Sequence, residues 1–397
     1  MFKSNCTIGI VGGGAMGAGI AQVAAIAGHT VFVYDVCEAT LQKAVAGWQN
    51  SLNKLAEKNK LSKQHAIEIL NRLLIKNNLA DLSESQLIIE AVVEDIQVKQ
   101  TLFTQLEKVV APDCVLASNT SSLSIASIAS ACNNPQRVLG IHFFNPAILM
   151  PLVEIIPGIA TDENCWQACR TLINSWGKTT VITKDTPGFI VNRIARSYYG
   201  ESIRIYEEGI ADFATIDWAL KTFGGFKMGP FELMDFIGND VNYKVTETVW
   251  QQFFYEPRFK PSLTQKRLYE AHFFGRKSGR GYYNYQDNAA MPLPNKNETL
   301  GKEICNRVLC MLINEAIDAY YLKLATKEDL EIAMEKGVNY PKGLLMWADE
   351  IGLPHVLHTL QSLYNDYGED RYRPSILLKR MVAANQNFYE KSFWHKK

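Results

Sequence analysis

The sequence predicts an α/β domain with a doubly wound, mostly parallel sheet, followed by two tandem all-helical domains. Short apolar runs alternate with longer amphipathic runs over the first 185 residues, which is typical of a sheet with helices on both faces. The pattern becomes helical after Thr186-Pro187-Gly188, where the Pro-Gly pair marks a domain boundary. The helical part then repeats itself, with matching residues 114 positions apart.

Seven apolar runs have the length and composition of strands. They lie at residues 7–11, 30–35, 87–93, 114–118, 137–144, 152–156 and 179–183. Segments between them, such as AMGAGIAQVAAIA, have helical spacing. The stretch 39–79 is rich in Lys, Glu and Leu, and it predicts a pair of helical segments that leave the sheet.

The repeat predicts that the helical region is a tandem duplication. Asn192-Arg193-Ile194 matches Asn306-Arg307-Val308, and Glu201 matches Glu315. Chance matches would not keep one offset through so many positions, so each copy is one structural unit of about 100 residues. The predicted domains are residues 1–185, 186–285 and 301–397, with a polar, proline-bearing linker at 286–300.

The overall composition limits the classes of function. The 397 residues include 41 Lys+Arg and 41 Asp+Glu, and zero net charge argues against a nucleic-acid or anionic-membrane binder. We find no apolar run of the roughly 18 residues that a membrane helix needs. The N-terminus passes directly into a strand pattern, so we expect a cytoplasmic protein.

The cysteines and histidines give no sign of a disulfide framework or a metal site. The eight cysteines are scattered without a CxxC motif, which favours buried, reduced thiols. His355 and His358 are three residues apart but lack a carboxylate or a Cys at useful spacing. We therefore expect no metal.

A G-x-G-x-x-G motif at residues 12–17 predicts a dinucleotide site. The motif follows a strand and opens a helix, and the next strand ends in Asp35. Gly12 permits the tight turn, Gly14 lets the backbone approach a pyrophosphate, and Gly17 lets helix and strand pack closely. Ala15 and Met16 lie in the first helical turn, whose amides face the phosphates.

Asp35 predicts NAD as the cofactor in preference to NADP. Its carboxylate would accept hydrogen bonds from the adenosine ribose hydroxyls, and it would repel a 2′-phosphate. Val36 and Cys37 follow, so the adjacent sequence offers no Arg or Lys to such a phosphate. Equal or higher efficiency with NADP would contradict this prediction.

Polar residues at strand ends predict a catalytic cluster. Residues 118–122, Ser-Asn-Thr-Ser-Ser, close one strand, and His142 lies at the end of the next. Glu154 lies within the following apolar run and needs a partner there, which a nearby histidine can be. Such a pair suits oxidation of an alcohol, because the imidazole accepts a proton and the carboxylate fixes its tautomer. A buried structural pair is the alternative that position alone leaves open.

The combination of GGGAMGAGIAQ, EAVVED, ASNTSSL, HFFNP with MPLVEII, KDTPGFIVNRI and MGPFELMD resembles the L-3-hydroxyacyl-CoA dehydrogenases. The resemblance covers residues 5–285 nearly without interruption. It implies a Rossmann-like NAD domain, and helical domains like the C-terminal domain of 6-phosphogluconate dehydrogenase. It implies an NAD-dependent oxidoreductase that interconverts a 3-hydroxyacyl-CoA and a 3-ketoacyl-CoA.

The resemblance also implies roles for single residues. His142 is the general base and Glu154 its partner, while Ser121 and Asn192 hold the substrate oxygen. The remaining matches are cofactor contacts at Glu94, Lys99, Asn145 and Lys277, and coenzyme A contacts at Ser51 and Lys58. Lys54, Lys58, Lys60 and Lys63 give one helical segment a basic face, which suits either coenzyme A phosphates or simple solvation.

The duplicated helical domain resembles bacterial single-function members that act on 3-hydroxybutyryl-CoA or 3-hydroxyadipyl-CoA. The second copy ends YEKSFWHKK where the first has GRKSGRGYYNY, with Lys391-Ser392 as the surviving match. We therefore expect a structural second copy, and either a monomer or a homodimer. The alternatives are an L-gulonate-type dehydrogenase of free 3-hydroxy acids and a retired enzyme kept as a structural or binding protein.

Overall fold

A computed structural model describes residue 2, residues 5–287 and residues 289–389 of the chain. The described residues fall into two compact units, divided between Thr186 and Pro187. The first unit is an α/β domain and the second is helical. Within the described ranges, no helix is both long enough and apolar enough to cross a membrane.

The first unit is built on one eight-stranded sheet in the order β3-β2-β1-β4-β5-β6-β7-β8. Its strands are β1 Thr7–Val11, β2 Thr30–Tyr34, β3 Leu73–Lys76, β4 Leu87–Glu90, β5 Val115–Ser118, β6 Val138–Phe143, β7 Leu152–Pro157 and β8 Thr179–Ile182. Its helices are α1 Ala15–Ile26, α2 Glu38–Glu57, α3 Lys63–Asn71, α4 Ile96–Val109, α5 Ile125–Ala129 and α6 Glu163–Ser175.

The strand order reverses between β1 and β4, because β2 and β3 lie on one side of β1 and the later strands on the other. Open α/β sheets bind their ligands in the crevice at such a switch point. All neighbouring strands are parallel except β6 and β7, which are antiparallel. Residues of α1, α2, α3 and α6 share one hydrophobic core with the sheet.

Strand β3 corrects the prediction that the stretch 39–79 is entirely helical. After α2 and α3, residues Leu73–Lys76 form an edge strand whose register pairs Val31 with Leu73 and Tyr34 with Lys76. The segment LLIK continues the Lys- and Leu-rich composition of the helices before it. The composition therefore gave no sign of the change from helix to strand at residue 73, and it is the pairing with β2 that makes this segment a strand.

The second unit contains eleven α-helices within its described residues. They are α7 Val191–Ile194, α8 Arg196–Glu207, α9 Phe213–Gly224, α10 Pro230–Ile237, α11 Asn239–Gln252, α12 Leu263–Glu270, α13 Glu298–Tyr321, α14 Lys327–Gly337, α15 Leu344–Ile351, α16 Leu353–Tyr367 and α17 Ile376–Ala383. Helices α14, α15 and α16 begin 114 residues after α9, α10 and α11, and α17 begins 113 residues after α12. Helix α13 runs continuously where the first copy has α7 and α8.

In both copies an aspartate accepts hydrogen bonds from two successive backbone amides near the end of the copy, and we call this contact the clamp. Asp235 on α10 accepts hydrogen bonds from the backbone amides of Tyr282 and Tyr283, at 3.0 and 2.9 Å. Asp349 on α15 accepts them from the amides of Phe388 and Tyr389, at 3.0 and 2.8 Å. The structural counterpart of Tyr282-Tyr283 is therefore Phe388-Tyr389.

The spacing before this clamp differs between the two copies, and the sequence match at Lys391-Ser392 lies outside the described residues. A left-handed residue follows the last helix of each copy, namely His272 and Asn385. Nine residues separate His272 from Tyr282, but only two separate Asn385 from Phe388. The second copy thus lacks seven residues here, which is the length of the segment 275–281 that contains Lys277.

Candidate active site

The loop between β1 and α1 has the geometry of a dinucleotide-binding turn. Gly12 has φ +103°, and a Cβ there would lie 2.5 Å from the carbonyl oxygen of Ala91. A Cβ on Gly17 would lie 1.8 Å from the carbonyl oxygen of Gly12. Both positions therefore require glycine, whereas Gly14, at the N-cap of α1, has no atom near its Cβ position. That open face and the free amides of Ala15 and Met16 fit a pyrophosphate at a helix N-terminus.

Asp35 follows the last residue of β2, beside this loop. Its Oδ2 accepts a hydrogen bond from the Gly13 amide at 2.7 Å, and its Oδ1 accepts one from the Cys37 amide at 2.8 Å. The half-buried carboxylate is thereby fixed next to the glycine turn. This is the position from which a carboxylate binds the ribose hydroxyls of NAD.

His142 and Glu154 form a buried pair across two strands. His142 on β6 lies directly opposite Glu154 on β7 in the antiparallel register. Nδ1 of His142 lies 2.7 Å from Oε2 of Glu154, and the two residues are 6% and 0% exposed. The sequence placed Glu154 in the strand after His142, but the antiparallel turn of the chain brings the two side chains to one face.

The loop after β5 is tied to the strand that contains His142. Asn119 accepts a hydrogen bond at Oδ1 from the backbone amide of Phe143, the residue after His142, at 2.8 Å. Ser118 is paired in register with Gly140, two residues before His142. These contacts hold the loop with Ser121 at the same edge of the sheet as the His-Glu pair.

Glu94 is the centre of the hydrogen bonds that order this loop. Its Oε1 accepts from the hydroxyl of Thr120 at 2.6 Å, and from the amide and hydroxyl of Ser121 at 3.0 and 3.3 Å. It also accepts from Ser122, through the amide at 3.2 Å and the hydroxyl at 3.3 Å. Partial burial raises the pKa of the Glu94 carboxyl, but Lys99 and the bonds from Thr120 and Ser121 outweigh it and lower the net pKa.

Behind this loop lies a buried network that the sequence reasoning missed in part. The Lys99 side chain is 1% exposed, and its Nζ lies 2.6 Å from Glu90 and 3.4 Å from Glu94. Glu90 is fully buried and also accepts from the Ser118 hydroxyl at 2.6 Å. Glu90 stands four residues before Glu94 in the segment EAVVED. A carboxylate at the end of an apolar strand was the available signal, as it was for Glu154.

Other predicted residues of the first unit lie on its surface or at helix ends. Asn145 is exposed in the loop after β6. Ser51 on α2 is half-buried and accepts a hydrogen bond from Gln22 of α1 at 3.0 Å. Lys58 is the exposed C-cap residue of α2.

The four predicted lysines do not share one helical segment, which corrects the predicted basic face. Lys54 lies in α2 and Lys58 caps it, Lys60 lies in the following turn, and Lys63 begins α3. All four are exposed. Within the described part of the chain, none of them forms an ion pair.

Two predicted residues belong to the second unit. Asn192 is half-buried in the short helix α7. Lys277 lies in the 3₁₀ turn Arg276–Ser278, where its Nζ lies 2.6 Å from Oδ1 of Asp240 on α11. Its side chain is about half exposed, so this pair does not prevent it from contacting a ligand.

The glycine turn, the fixed ribose-side aspartate and the His-Glu pair at the same sheet define an NAD-dependent dehydrogenase with a Rossmann-like domain. Residues 7–186 match the family model described as the NAD-binding domain of 3-hydroxyacyl-CoA dehydrogenase. Residues 188–285 and 304–392 both match the model of its C-terminal domain. The chain therefore belongs to the 3-hydroxyacyl-CoA dehydrogenase family, and the predicted fold class, with its duplicated helical domain, is confirmed.

Similar proteins bear this out. A 3-hydroxyadipyl-CoA dehydrogenase of Escherichia coli is 36% identical, over 96% of this chain and 98% of that protein. The human mitochondrial hydroxyacyl-coenzyme A dehydrogenase is 40% identical, over 70% of this chain and 90% of that protein. The crystal structure of an E. coli 3-hydroxybutyryl-CoA dehydrogenase superposes with a TM-score of 0.90 at 35% identity, covering 96% of this chain and 99% of the other.

Proposed function

We propose that this protein oxidises an L-3-hydroxyacyl-CoA to the 3-ketoacyl-CoA with NAD, and that it also catalyses the reverse reduction. The observation that supports this most is the buried His142–Glu154 pair, 2.7 Å apart, in the unit that contains the dinucleotide turn. An alcohol oxidation needs a group that takes the hydroxyl proton as hydride departs. His142 is a base suited to neutral pH, and Glu154 is its fixed partner.

The hydrogen bond to Glu154 assigns different tasks to the two ring nitrogens of His142. With Nδ1 held by the carboxylate, Nε2 is the nitrogen that exchanges a proton with the substrate hydroxyl. Glu154 fixes the ring's orientation and stabilises the imidazolium that forms. Bound NAD supplies the hydride acceptor in the oxidation direction. In the reverse direction, the imidazolium returns its proton to the developing alkoxide.

Ser121 and Asn192 are proposed to hold the substrate oxygen beside His142. Glu94 fixes the Ser121 hydroxyl, since one carboxylate oxygen accepts from both its amide and its hydroxyl. We propose Glu94, Lys99, Asn145 and Lys277 as cofactor-side residues. Lys99 acts from within the domain, because its ammonium is buried against Glu90 and Glu94.

An acyl-CoA is the proposed small-molecule partner. The exposed lysines at the end of α2 and the start of α3 favour a substrate with phosphates over a free hydroxy acid, with Ser51 and Lys58 as the proposed contacts. We also propose a cytoplasmic location, and either a monomer or a homodimer. An excess of positive charge on this surface would raise the local concentration of an anionic thioester.

The test is NADH absorbance on addition of acetoacetyl-CoA, compared with free 3-keto acids. We expect turnover with the thioester and little with the free acids. His142→Ala should reduce turnover by roughly 10²–10⁴-fold, and Glu154→Gln should impair turnover while NADH affinity is largely kept. A His142→Ala variant within a few fold of the wild type would remove the proposed base. NADH binding without turnover of any substrate would favour the retired enzyme.

A further inference from the structure

A cluster of buried polar side chains surrounds Arg196, the first residue of α8. The Arg196 Nε donates to the backbone oxygen of Asn192 at 2.9 Å, and its Nη1 donates to the hydroxyl of Thr246 at 2.9 Å. Nη1 also lies 3.3 Å from the backbone oxygen of Asn242. The guanidinium packs over the ring of Tyr199, 4.9 Å from its centroid. Arg196 is 6% exposed and Asn242 is 3% exposed.

The positive charge of Arg196 is not neutralised by the protein. In the part of the chain that the structure describes, Arg196 forms no ion pair, and the acceptors above are all neutral. Burial lowers the pKa of its guanidinium, and the groups that act against burial are the phenols of Tyr199 and Tyr340 rather than carboxylates. A buried cation without a counter-charge costs free energy and is retained where something else compensates it.

The same region has hydrogen-bond donors that lack acceptors. Nδ2 of Asn242 and the hydroxyl of Tyr340 are buried, and neither has a partner among the described residues. The Asn242 amide is held by its other end, since its Oδ1 accepts from Gln265 at 2.9 Å. Tyr340 comes from the second copy of the helical domain. Arg196 thus lacks a counter-charge and two buried donors of this region lack acceptors, and a carboxylate is the group that supplies both a negative charge and acceptor oxygens.

The second copy shows that the fold does not need this cluster. The counterparts of Arg196, Tyr199, Asn242, Thr246 and Gln265 in the repeat are Cys310, Ile313, Val356, Leu360 and Leu378. All five counterparts are fully buried. The same helices therefore pack with an apolar core in one copy and with a buried cation in the other. Folding alone does not explain the polar version.

We propose that the Arg196 cluster binds the terminal carboxylate of a substrate whose acyl chain carries one, so that the enzyme favours 3-hydroxy dicarboxylic acyl-CoA thioesters. Arg196 lies one helical turn after Asn192, the residue proposed to hold the substrate oxygen, and it hydrogen-bonds to that residue's backbone. The inference rests on the proposed binding of an acyl-CoA, and it assigns a binding subsite beyond the reacting carbon.

Binding of two unreactive thioesters tests the subsite without the redox step. Adipyl-CoA and hexanoyl-CoA have six-carbon chains that differ in the terminal group, and both lack the 3-hydroxyl. In calorimetric titrations we expect the wild type to bind adipyl-CoA about 10- to 100-fold more tightly, the range for a charge-assisted hydrogen bond. Arg196→Met should abolish the difference, and Arg196→Lys should keep part of it. Arg267→Met, an exposed arginine of the same domain, is the matched control and should keep all of it.

Equal binding of the two thioesters by the wild type would overturn the subsite. An Arg196→Met variant that keeps the preference for adipyl-CoA would also overturn it. The same holds if the variant binds both thioesters more weakly by the same factor, since Arg196 would then act only through Asn192. If Arg196→Met does not fold, the four changes Arg196→Cys, Asn242→Val, Thr246→Leu and Gln265→Leu introduce the residues of the second copy at four of these five positions. That variant should fold and should lose the preference, whereas retained preference would count against the subsite.

Turnover separates this inference from the proposed reaction. We expect the wild-type kcat/KM for 3-hydroxyadipyl-CoA to exceed that for 3-hydroxyhexanoyl-CoA about 10- to 100-fold. Equal values for the two substrates would overturn the subsite and leave the dehydrogenase reaction standing. Tighter binding of adipyl-CoA together with no oxidation of either substrate would overturn the reaction and leave the subsite standing.

Discussion

Arg193 in the first helical copy donates from Nε to Oε1 of Glu315 in the second copy, at 2.6 Å. The reciprocal pair joins Arg307 of the second copy to Glu201 of the first, also at 2.6 Å. Arg193 corresponds to Arg307, and Glu201 to Glu315, in the repeat. The two copies therefore pack through equivalent surfaces, as two subunits do across a twofold axis.

The two reciprocal pairs predict unequal losses of stability. Glu315 is fully buried and also lies 3.0 Å from Arg258, so Glu315→Gln leaves two buried arginines without their shared carboxylate, although Asp318 stays 3.7 Å from Arg193 and 3.2 Å from Arg258. We expect the free energy of unfolding to fall by about 3–5 kcal/mol. Glu201→Gln should cost less, because Arg307 keeps Glu208 at 2.9 Å. Denaturant unfolding of both variants tests this order, and equal losses would contradict it.

Glu94 is predicted to support turnover through the loop that it orders. Glu94→Gln removes the charge that faces Lys99 and weakens the bonds to Ser121, so we expect kcat to fall at least about tenfold because the loop is misplaced. Glu107→Gln is the matched control, since Glu107 also accepts two loop amides, from Asn133 and Asn134. Steady-state kinetics should show kcat nearly unchanged in the control. A similar loss in both variants would indicate general destabilisation.

Asp217 predicts a pH dependence of stability. Burial raises its pKa to about 7, although hydrogen bonds from Tyr283 and from the amides of Phe231 and Glu232 lower it. The ordinary pKa of Asp is near 3.9, so the folded state binds the proton more tightly than the unfolded state does. The resulting stability is fully present below about pH 4 and is lost as the pH rises to about 7.

Urea unfolding between pH 5 and 8 measures this effect. We expect the free energy of unfolding to decrease from pH 5 to 7, and Asp217→Asn to flatten that slope. Asp212→Asn at the exposed N-cap of the same helix removes a carboxylate but keeps a capping oxygen, so it should leave the slope in place. The difference between the wild-type and Asp217→Asn curves isolates this residue, and a difference that stays constant or rises with pH from 5 to 7 would contradict the prediction.

The segment 275–281 is predicted to be dispensable for folding. The second copy lacks seven residues at this place and still forms the clamp, through Asp349 and the amides of Phe388 and Tyr389. Deletion of 275–281 should therefore leave the melting temperature within a few degrees of the wild type. It should weaken NADH binding if Lys277 contacts the cofactor, and Lys277→Met should show the same weakening. A large drop in melting temperature would show that the segment is structural.

Local sequence signals were sufficient to predict part of the geometry of the candidate site. The glycines at 12 and 17 are required by backbone approaches that no other residue allows. The apolar context of His142 and Glu154 indicated a buried pair, and in the structure Nδ1 of His142 lies 2.7 Å from Oε2 of Glu154. Pattern reasoning succeeded at these places because the constraint is local, either a steric one or a charge within an apolar strand.

Other features depend on contacts that are distant in the sequence. LLIK at 73–76 becomes a strand because it pairs with β2. The partners of the buried Glu90 carboxylate, Lys99 and Ser118, lie 9 and 28 residues further along the chain and meet it only in the folded domain. The Arg196 cluster was also missed, since Asn242, Gln265 and Tyr340 approach Arg196 only after the helices have packed.

The sequence by itself determined the class of this protein, meaning the α/β domain, the duplicated helical domain, the NAD turn and the His-Glu pair. These features follow from hydrophobic periodicity, from the steric requirement for glycine and from an internal repeat, and each of these can be recognised in the linear sequence. Only the tertiary structure decided which partner each buried charge has: Glu315 for Arg193, Glu90 for Lys99, and no carboxylate among the described residues for Arg196. The physical reason is that the cost of a buried charge depends on the atoms around it, and folding brings those atoms from distant parts of the chain.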